Sequence, residues 1–519
     1  MGASYIIRIF AYISRRLISH IFFPMKSQEI CPDVEELLKW RRQLYNALGS
    51  RRETVMELLD SLSSNRQAST VAELSLNPLF RRDYNSLYKG IQEFLPSPTN
   101  DNYQKAFDSL LSVVSATIPP PVSRQFYLFG VDVTPCPRPY SATLEDKKYI
   151  YQPNTIKGNK PINIGHAYSV IAALPERSET GNVPWAIPLS GQRVSSGEKD
   201  ISVASNQVKK ILNHSSVPWK DKLSVLVADS LYSQRGFLGE QVKQNNLVTL
   251  TRGRSNRVFY RQFIPEDYSP KQPGHPRWYG DKFDLKDETT WLEPDEIIQS
   301  TFTTKRGREL NLKISGWKQM LMRGTSDYEM HSHPFTLLQI IVSDETGKAV
   351  WKPMWLILIG SRRYELSLQE CYEAYGQRYD LEHLFRFGQQ KLLLNAYYTP
   401  EVNHEENWVQ LTLLAAVNLW ATRKLALVLP RPWEQYLKKS ESVEITPSLV
   451  QRDFYRIISE IGTLVKSPKR RGYSAGRIKG YKKVPRTRHQ VIKKQTKTHI
   501  PHPQLSHKLS PARDLSKNT

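Results

Sequence analysis

Phe126-Tyr-Leu-Phe-Gly-Val-Asp132 is an unbroken apolar run that ends on a carboxylate. A run this short with no polar face reads as a strand buried on both sides, presenting the acid at its end. Leu223-Ser-Val-Leu-Val-Ala-Asp229 has the same form about a hundred residues later. A third acid, Glu382, stands apart from these two because it lies in a long helical segment, Tyr375-Gly-Gln-Arg-Tyr-Asp-Leu-Glu382.

The pattern before the first strand is helical. Apolar residues recur at helical intervals from Val34 to Leu111, as in Leu37, Leu38, Leu44 and Leu48, then Val55, Leu58, Leu59 and Leu62. Ile118-Pro-Pro-Pro-Val122 breaks the pattern and marks a boundary. Strand-like runs follow at 166–174 and 183–189, then a helical stretch at 199–213, the strand ending at Asp229, a helix at 235–244 and a strand at 247–251. Hairpins first and alternating helix and strand afterwards predict a mixed α/β sheet. From Val258 to about Pro334 the chain turns rich in Pro, Gly, Tyr and charge, with short β-like pieces such as Glu309-Leu-Asn-Leu-Lys-Ile314. This reads as an inserted, mostly β subdomain. Strands at 335–342 and 354–359 lead into the Glu382 helix, and a second apolar helix at 408–427 is placed behind it.

On an ideal helix, steps of three or four residues return to one side, so Tyr375, Arg378, Glu382, Arg386 and Gln389 share a polar face. Leu381, Leu384, Phe385 and Leu392 supply apolar cover beside it. Asp380 is turned away from that face, and Glu145 and Asp146 sit in a charged loop, so these acids are poorer candidates. His331 and His333 lack a third ligand at a metal-binding spacing and read as a surface loop. Trp278, Trp291 and Trp317 lie in the insertion, where a ring could hold an unstacked base, but core packing explains most tryptophans.

Tyr375, Arg378 and Glu382 match, in identity and spacing, the Tyr-x-x-Arg-x-x-x-Glu signature of a large group of DDE transposases from bacterial insertion sequences. Gly-Val-Asp132-Val-Thr and Val-Ala-Asp229-Ser resemble the first and second catalytic blocks of that group, and the similarity runs from about Phe126 to Leu427 with the β insertion included. The resemblance implies a ribonuclease H-like core in which Asp132, Asp229 and Glu382 are catalytic and hold two Mg²⁺ ions, with Mn²⁺ able to substitute. Asp132 would bridge both ions. Tyr375, Arg378, Arg386, Gln389 and Lys391 become candidate DNA contacts. One departure is clear: the signature expects Lys where this chain has Gln389, so Arg386 or Lys391 would take over that phosphate contact. Double-stranded DNA is the implied partner, bound by a homodimer that brings two transposon ends together. Two further readings remain open, a DNA-binding derivative that no longer cuts and a ribonuclease H-like nuclease acting in repair or on RNA.

The expected domain order is therefore an N-terminal extension (1–25), a helical end-binding domain (26–118), the core in two parts (119–257 and 335–430) around the insertion (258–334), and a basic C-terminal region (431–519). Net charge supports a polyanionic partner. The chain carries +23, and residues 466–519 hold sixteen Lys or Arg against the single acid Asp514. That tail, with Lys469-Arg-Arg471, Lys482-Lys483 and Lys493-Lys494 interleaved with Tyr473 and Tyr481, suits backbone contacts without sequence readout. Three cysteines, Cys31, Cys136 and Cys371, form no CxxC pair, which argues against a disulfide framework or zinc finger and for a reducing compartment. The apolar opening Ser4–Pro24 is interrupted by Arg8, Arg15 and Arg16 and is expected neither to span a membrane nor to act as a signal peptide. The location expected is the bacterial cytoplasm, at the nucleoid.

Overall fold

The computed structural model describes residues 32–152, 161–263, 277–304, 307–428, 444–469 and 484–492. The expected N-terminal extension and most of the basic tail lie outside the described residues.

Among the described residues four helices come first: α1 (Pro32–Ala47), α2 (Arg52–Ser63), α3 (Tyr84–Gln92) and α4 (Asn102–Ser115). The strands β1 (Tyr127–Pro137), β2 (Lys148–Tyr151), β3 (Ile162–Ala173) and β4 (Ile187–Val194) follow, then α5 (Asp200–Leu212), β5 (Ser224–Ala228), α6 (Arg235–Gln241) and β6 (Leu247–Gly253). β7 (Val258–Gln262), β8 (Tyr279–Asp284), β9 (Glu296–Thr303), β10 (Glu309–Leu321), β11 (Phe335–Ser343) and β12 (Met354–Ile359) complete the strands. The chain then turns helical again through α7 (Leu368–Gln377), α8 (Tyr379–Lys391), α9 (Val402–Thr422) and α10 (Pro447–Ile461).

The twelve strands among the described residues join one mixed sheet in the order β2-β3-β1-β5-β6-β12-β11-β10-β7-β8, with β4 on β3 and β9 on β10. β1, β5 and β6 are parallel neighbours at its centre, and every residue of β5 is buried, as a strand covered on both faces requires. An arrangement of antiparallel strands leading into a parallel centre, with helices packed against it, is consistent with a ribonuclease H-like fold. The strands expected at 335–342 and 354–359 form as β11 and β12. They pair antiparallel with each other, β12 adds to β6 and β11 to β10, so the inserted strands continue the central sheet edge to edge. One strand is displaced from expectation: β4 begins at Ile187, not Val183. Pro184 has no amide to give a ladder, and Pro188 falls where the β3 register shifts.

α9 is buried all round from Leu411 to Trp420, between the sheet and the amino-terminal helices. Its Asn418 joins a buried pair in which Arg41 of α1 grips Asp60 of α2 through two bonds of 2.8 and 2.7 Å. The amino-terminal helices thus share one core with the sheet. Among the described residues no helix is long and apolar enough to cross a membrane.

Candidate active site

Register brings the two aspartates together. Val131 of β1 lies opposite Ala228 of β5, and each strand delivers its aspartate at the next residue. Neighbouring strands run about 4.8 Å apart, so the two acids stand side by side; Asp229 follows the end of β5 as expected, whereas Asp132 lies within β1, which runs on to Pro137 paired with β3. Each carboxylate is partly held by local backbone: the Val133 amide donates to Asp132 Oδ1 at 2.8 Å, and the Leu231 amide to Asp229 Oδ1 at 2.8 Å.

Glu382 arrives from above the sheet. Ser367 and Glu370 form a capping box that starts α7, and α8 follows with Arg378 at the junction. The expected single helix is therefore two, because the Arg378 amide donates to the Tyr375 carbonyl three residues back, tightening the turn. α8 lies against β1 where Gly130 leaves room: a Cβ there would stand 2.7 Å from Leu381 Cδ1 and 3.3 Å from Leu174 Cδ1. Glu382 is the next residue along α8.

Arg378 joins the elements. Its Nη1 donates to Asp132 Oδ2 at 3.3 Å and its Nη2 to Glu382 Oε1 at 2.8 Å, while its buried Nε has no partner. The guanidinium also lies over the Tyr375 and Tyr379 rings, 5.8 and 5.1 Å from their centroids. Burial pushes the Asp132 carboxyl up to about 6, and Asp229 adds to that, against the Val133 amide and Arg378. Tyr375 is pushed up to about 12, again chiefly by burial, with Arg378 and Arg252 opposing and Asp229 adding. Tyr232 carries a buried hydroxyl without a partner, and its ionisation is suppressed by burial first and then by Asp132 and Asp229. The helix-face argument reaches neither Tyr232 nor Arg252; strand register, counted one residue past Thr251, would have found Arg252.

The remaining sequence candidates divide. Gln389 faces β1 and its Nε2 donates to Thr134 Oγ1 at 3.3 Å, two residues beyond Asp132. Arg386 and Lys391 instead border a cavity of about 260 Å³ with Trp185, Leu384 and Phe387. Asp380 is buried away from the acids and pairs with Arg177 at 2.8 Å, with burial pushing it up to about 6. His331 stacks flat on Trp278, with ring centroids 3.5 Å apart. Trp291 and Trp317 pack on Phe283 within the insertion and on Trp355 of β12. Cys136 and Cys371 are buried free thiols.

Behind the site, β1 continues into a buried polar knot. Arg138 Nε donates to Glu405 Oε2 at 3.1 Å, Tyr168 Oη donates to Glu405 Oε1 at 3.0 Å, and His166 Nδ1 lies 2.9 Å from the same oxygen. Arg138 also donates to the Asn395 and Tyr397 carbonyls, which ties the chain after α8 to the strand that carries Asp132.

The donor set suits a hard cation, since all three acids offer oxygen. Among the described residues, however, no three metal-binding side chains stand close enough to hold one ion as placed. The Arg378 guanidinium supplies the positive charge between Asp132 and Glu382 instead, so a cation taken by both carboxylates requires that guanidinium to withdraw. The family model for DDE superfamily endonucleases matches residues 43–323. The matched stretch contains Asp132 and Asp229 and stops before Glu382. No curated protein matches the chain.

Proposed function

We propose that this chain, which belongs to the DDE superfamily endonucleases, is the transposase of a bacterial insertion sequence, cutting DNA at terminal inverted repeats and joining the freed end to target DNA. The observation that carries the reading is the register that sets Asp132 beside Asp229, with Glu382 tied to Asp132 through one guanidinium. Divalent cations, two Mg²⁺ with Mn²⁺ able to substitute, would be held by the oxygens of Asp132, Asp229 and Glu382 and would supply the charge that activates an attacking oxygen and steadies a leaving one. Arg378, once released from the carboxylates, is placed to take a phosphate in a bidentate grip, and the Tyr375 ring beneath it keeps the guanidinium over the site. Tyr375 stays protonated at neutral pH and serves as a hydrogen-bond donor, not a base. Water is the first nucleophile, and the 3′-hydroxyl it frees attacks a second phosphodiester at the same acids. Two copies of the chain act together on paired ends.

Incubation with duplexes carrying the inverted repeats that flank the reading frame, with Mg²⁺ or Mn²⁺, tests this. Nicking at the repeat ends followed by strand joining is expected, and undiminished cutting by Asp132→Asn would show the assignment to be wrong. Gln389 in place of the signature Lys favours one second reading, a DNA-binding derivative that no longer cuts. Equal affinity with and without divalent metal, and no nicked product at high protein concentration, would select it.

A further inference from the structure

The register that pairs the aspartates extends one strand further. Ala228 of β5 lies opposite Thr251 of β6, so the residues that follow on the three parallel strands are Asp132, Asp229 and Arg252. The turn after β6 carries Arg254 and Arg257, closed by the Arg257 amide donating to the Arg254 carbonyl at 3.1 Å. Arg235 opens α6 shortly after Asp229. Arg235, Arg252 and Arg254 are exposed and Arg257 is half-buried. Burial, then the like charges of Arg254 and Arg235, hold the Arg257 guanidinium below its ordinary value.

Among the described residues none of these four guanidiniums is paired with a carboxylate. Elsewhere the chain pairs its arginines readily: Arg41 with Asp60, Arg138 with Glu405, Arg193 with Asp146 and Glu406. A group of cations kept together without counter-charge opposes folding, and an external polyanion removes that repulsion.

We propose that Arg235, Arg252, Arg254 and Arg257 form a phosphate-binding track that holds the DNA backbone on the insertion side of the acids. The assignment rests on the reading that those acids cut DNA. Arg252 stands two strands from Asp132, roughly 10 Å at the usual strand spacing. The track therefore meets phosphates within a few nucleotides of the cut. Guanidinium–phosphate contacts of this kind fix register without reading sequence.

Duplex binding by the full chain in EDTA tests the track apart from the chemistry, with affinity followed against NaCl for a duplex of arbitrary sequence. Arg254→Gln and Arg257→Gln together are expected to weaken binding several-fold for any sequence and to lower the slope of log affinity against log salt by about one per lost contact. Arg254→Lys with Arg257→Lys should retain most of the slope. Melting temperatures of the Gln variants should hold or rise, since repulsion is relieved; a fall would mark these residues as structural and overturn the proposal, as would an unchanged slope. Displacement of the duplex by polyglutamate at matched charge concentration would point to an acidic protein instead and also overturn it. If the slope falls as expected but the wild-type chain never cuts any duplex with Mg²⁺, the track stands and the nuclease reading fails. Where cutting occurs, methylphosphonates placed singly within a few nucleotides of the cut should slow the wild type at one position and leave Arg252→Gln unaffected there; an equal effect on both at every position would overturn the placement.

Discussion

Arg378 and Asp132, 246 residues apart in sequence, meet through a guanidinium–carboxylate contact of 3.3 Å, and the other arm of the same guanidinium holds Glu382. This contact makes the helix that carries the third acid dependent on the strand that carries the first. It also places a cation where the proposed chemistry needs one.

Arg378→Gln removes the charge that offsets Asp132. Glu382 is 43% exposed and loses little to solvent-screened repulsion, whereas Asp132 is mostly buried, so the cost falls chiefly there. The variant should melt earlier than wild type in EDTA. Millimolar Mg²⁺ should then raise its melting temperature more than it raises that of wild type, because no guanidinium has to leave first. An equal Mg²⁺ response in both proteins would contradict the account.

Gln389→Lys restores the residue that the signature carries. The hydrogen bond to Thr134 that it gives up is long and lies at an exposed side chain, so thermal stability should change little. Affinity for end-bearing duplex should rise several-fold at low salt, with the salt slope steeper by about one. A variant with unchanged slope would show that position 389 does not face phosphate.

Gly130→Val tests the fit of α8 on β1. Leu381 and Leu174 leave no space for a branched side chain, and overpacking a core costs about 1–3 kcal/mol. Because Glu382 adjoins Leu381, cleavage should fall at least ten-fold while duplex affinity, measured in EDTA, stays near wild type. Loss of both together would indicate general unfolding and would be visible in the melting temperature.

Glu405→Gln probes the buried knot. Burial pushes this carboxyl up, but the His166 hydrogen bond, the Arg138 charge and the Tyr168 hydroxyl outweigh it and hold the group below its ordinary value. A depressed carboxyl adds stability that is fully present above the unfolded value near pH 4.3 and is lost as pH falls through the folded value. The substitution should cost roughly 3–5 kcal/mol at neutral pH, since Arg138 is left buried without its partner. Urea unfolding between pH 3 and 7 should also show a shallower acid decline in the variant. An unchanged acid decline would remove Glu405 from the pH dependence.

Much of this site was legible in the sequence because its elements are strongly patterned. The apolar runs before Asp132 and Asp229 have one reading as buried strands, and parallel pairing then fixes the two acids side by side. Fold class followed from the same strands. Helical periodicity was less informative around Arg378, where a tightened turn replaces the ideal helix and buries Tyr375 while Gln389 stays exposed. The start of β4 was obscured by Pro184, whose missing amide has no hydrophobic signature. Arg252 and Tyr232 could not be found from periodicity at all, because their places depend on register between β5 and β6 and on burial beneath the two aspartates.

The most direct test of the account is a crystal structure of the chain grown with Mn²⁺, whose anomalous scattering locates the ions. The account predicts Mn²⁺ within about 2.5 Å of carboxylate oxygens from Asp132, Asp229 and Glu382, with Arg378 swung away from them. A fully formed site in saturating Mn²⁺ that shows no ion at these acids, with Arg378 still bridging Asp132 and Glu382, would contradict it.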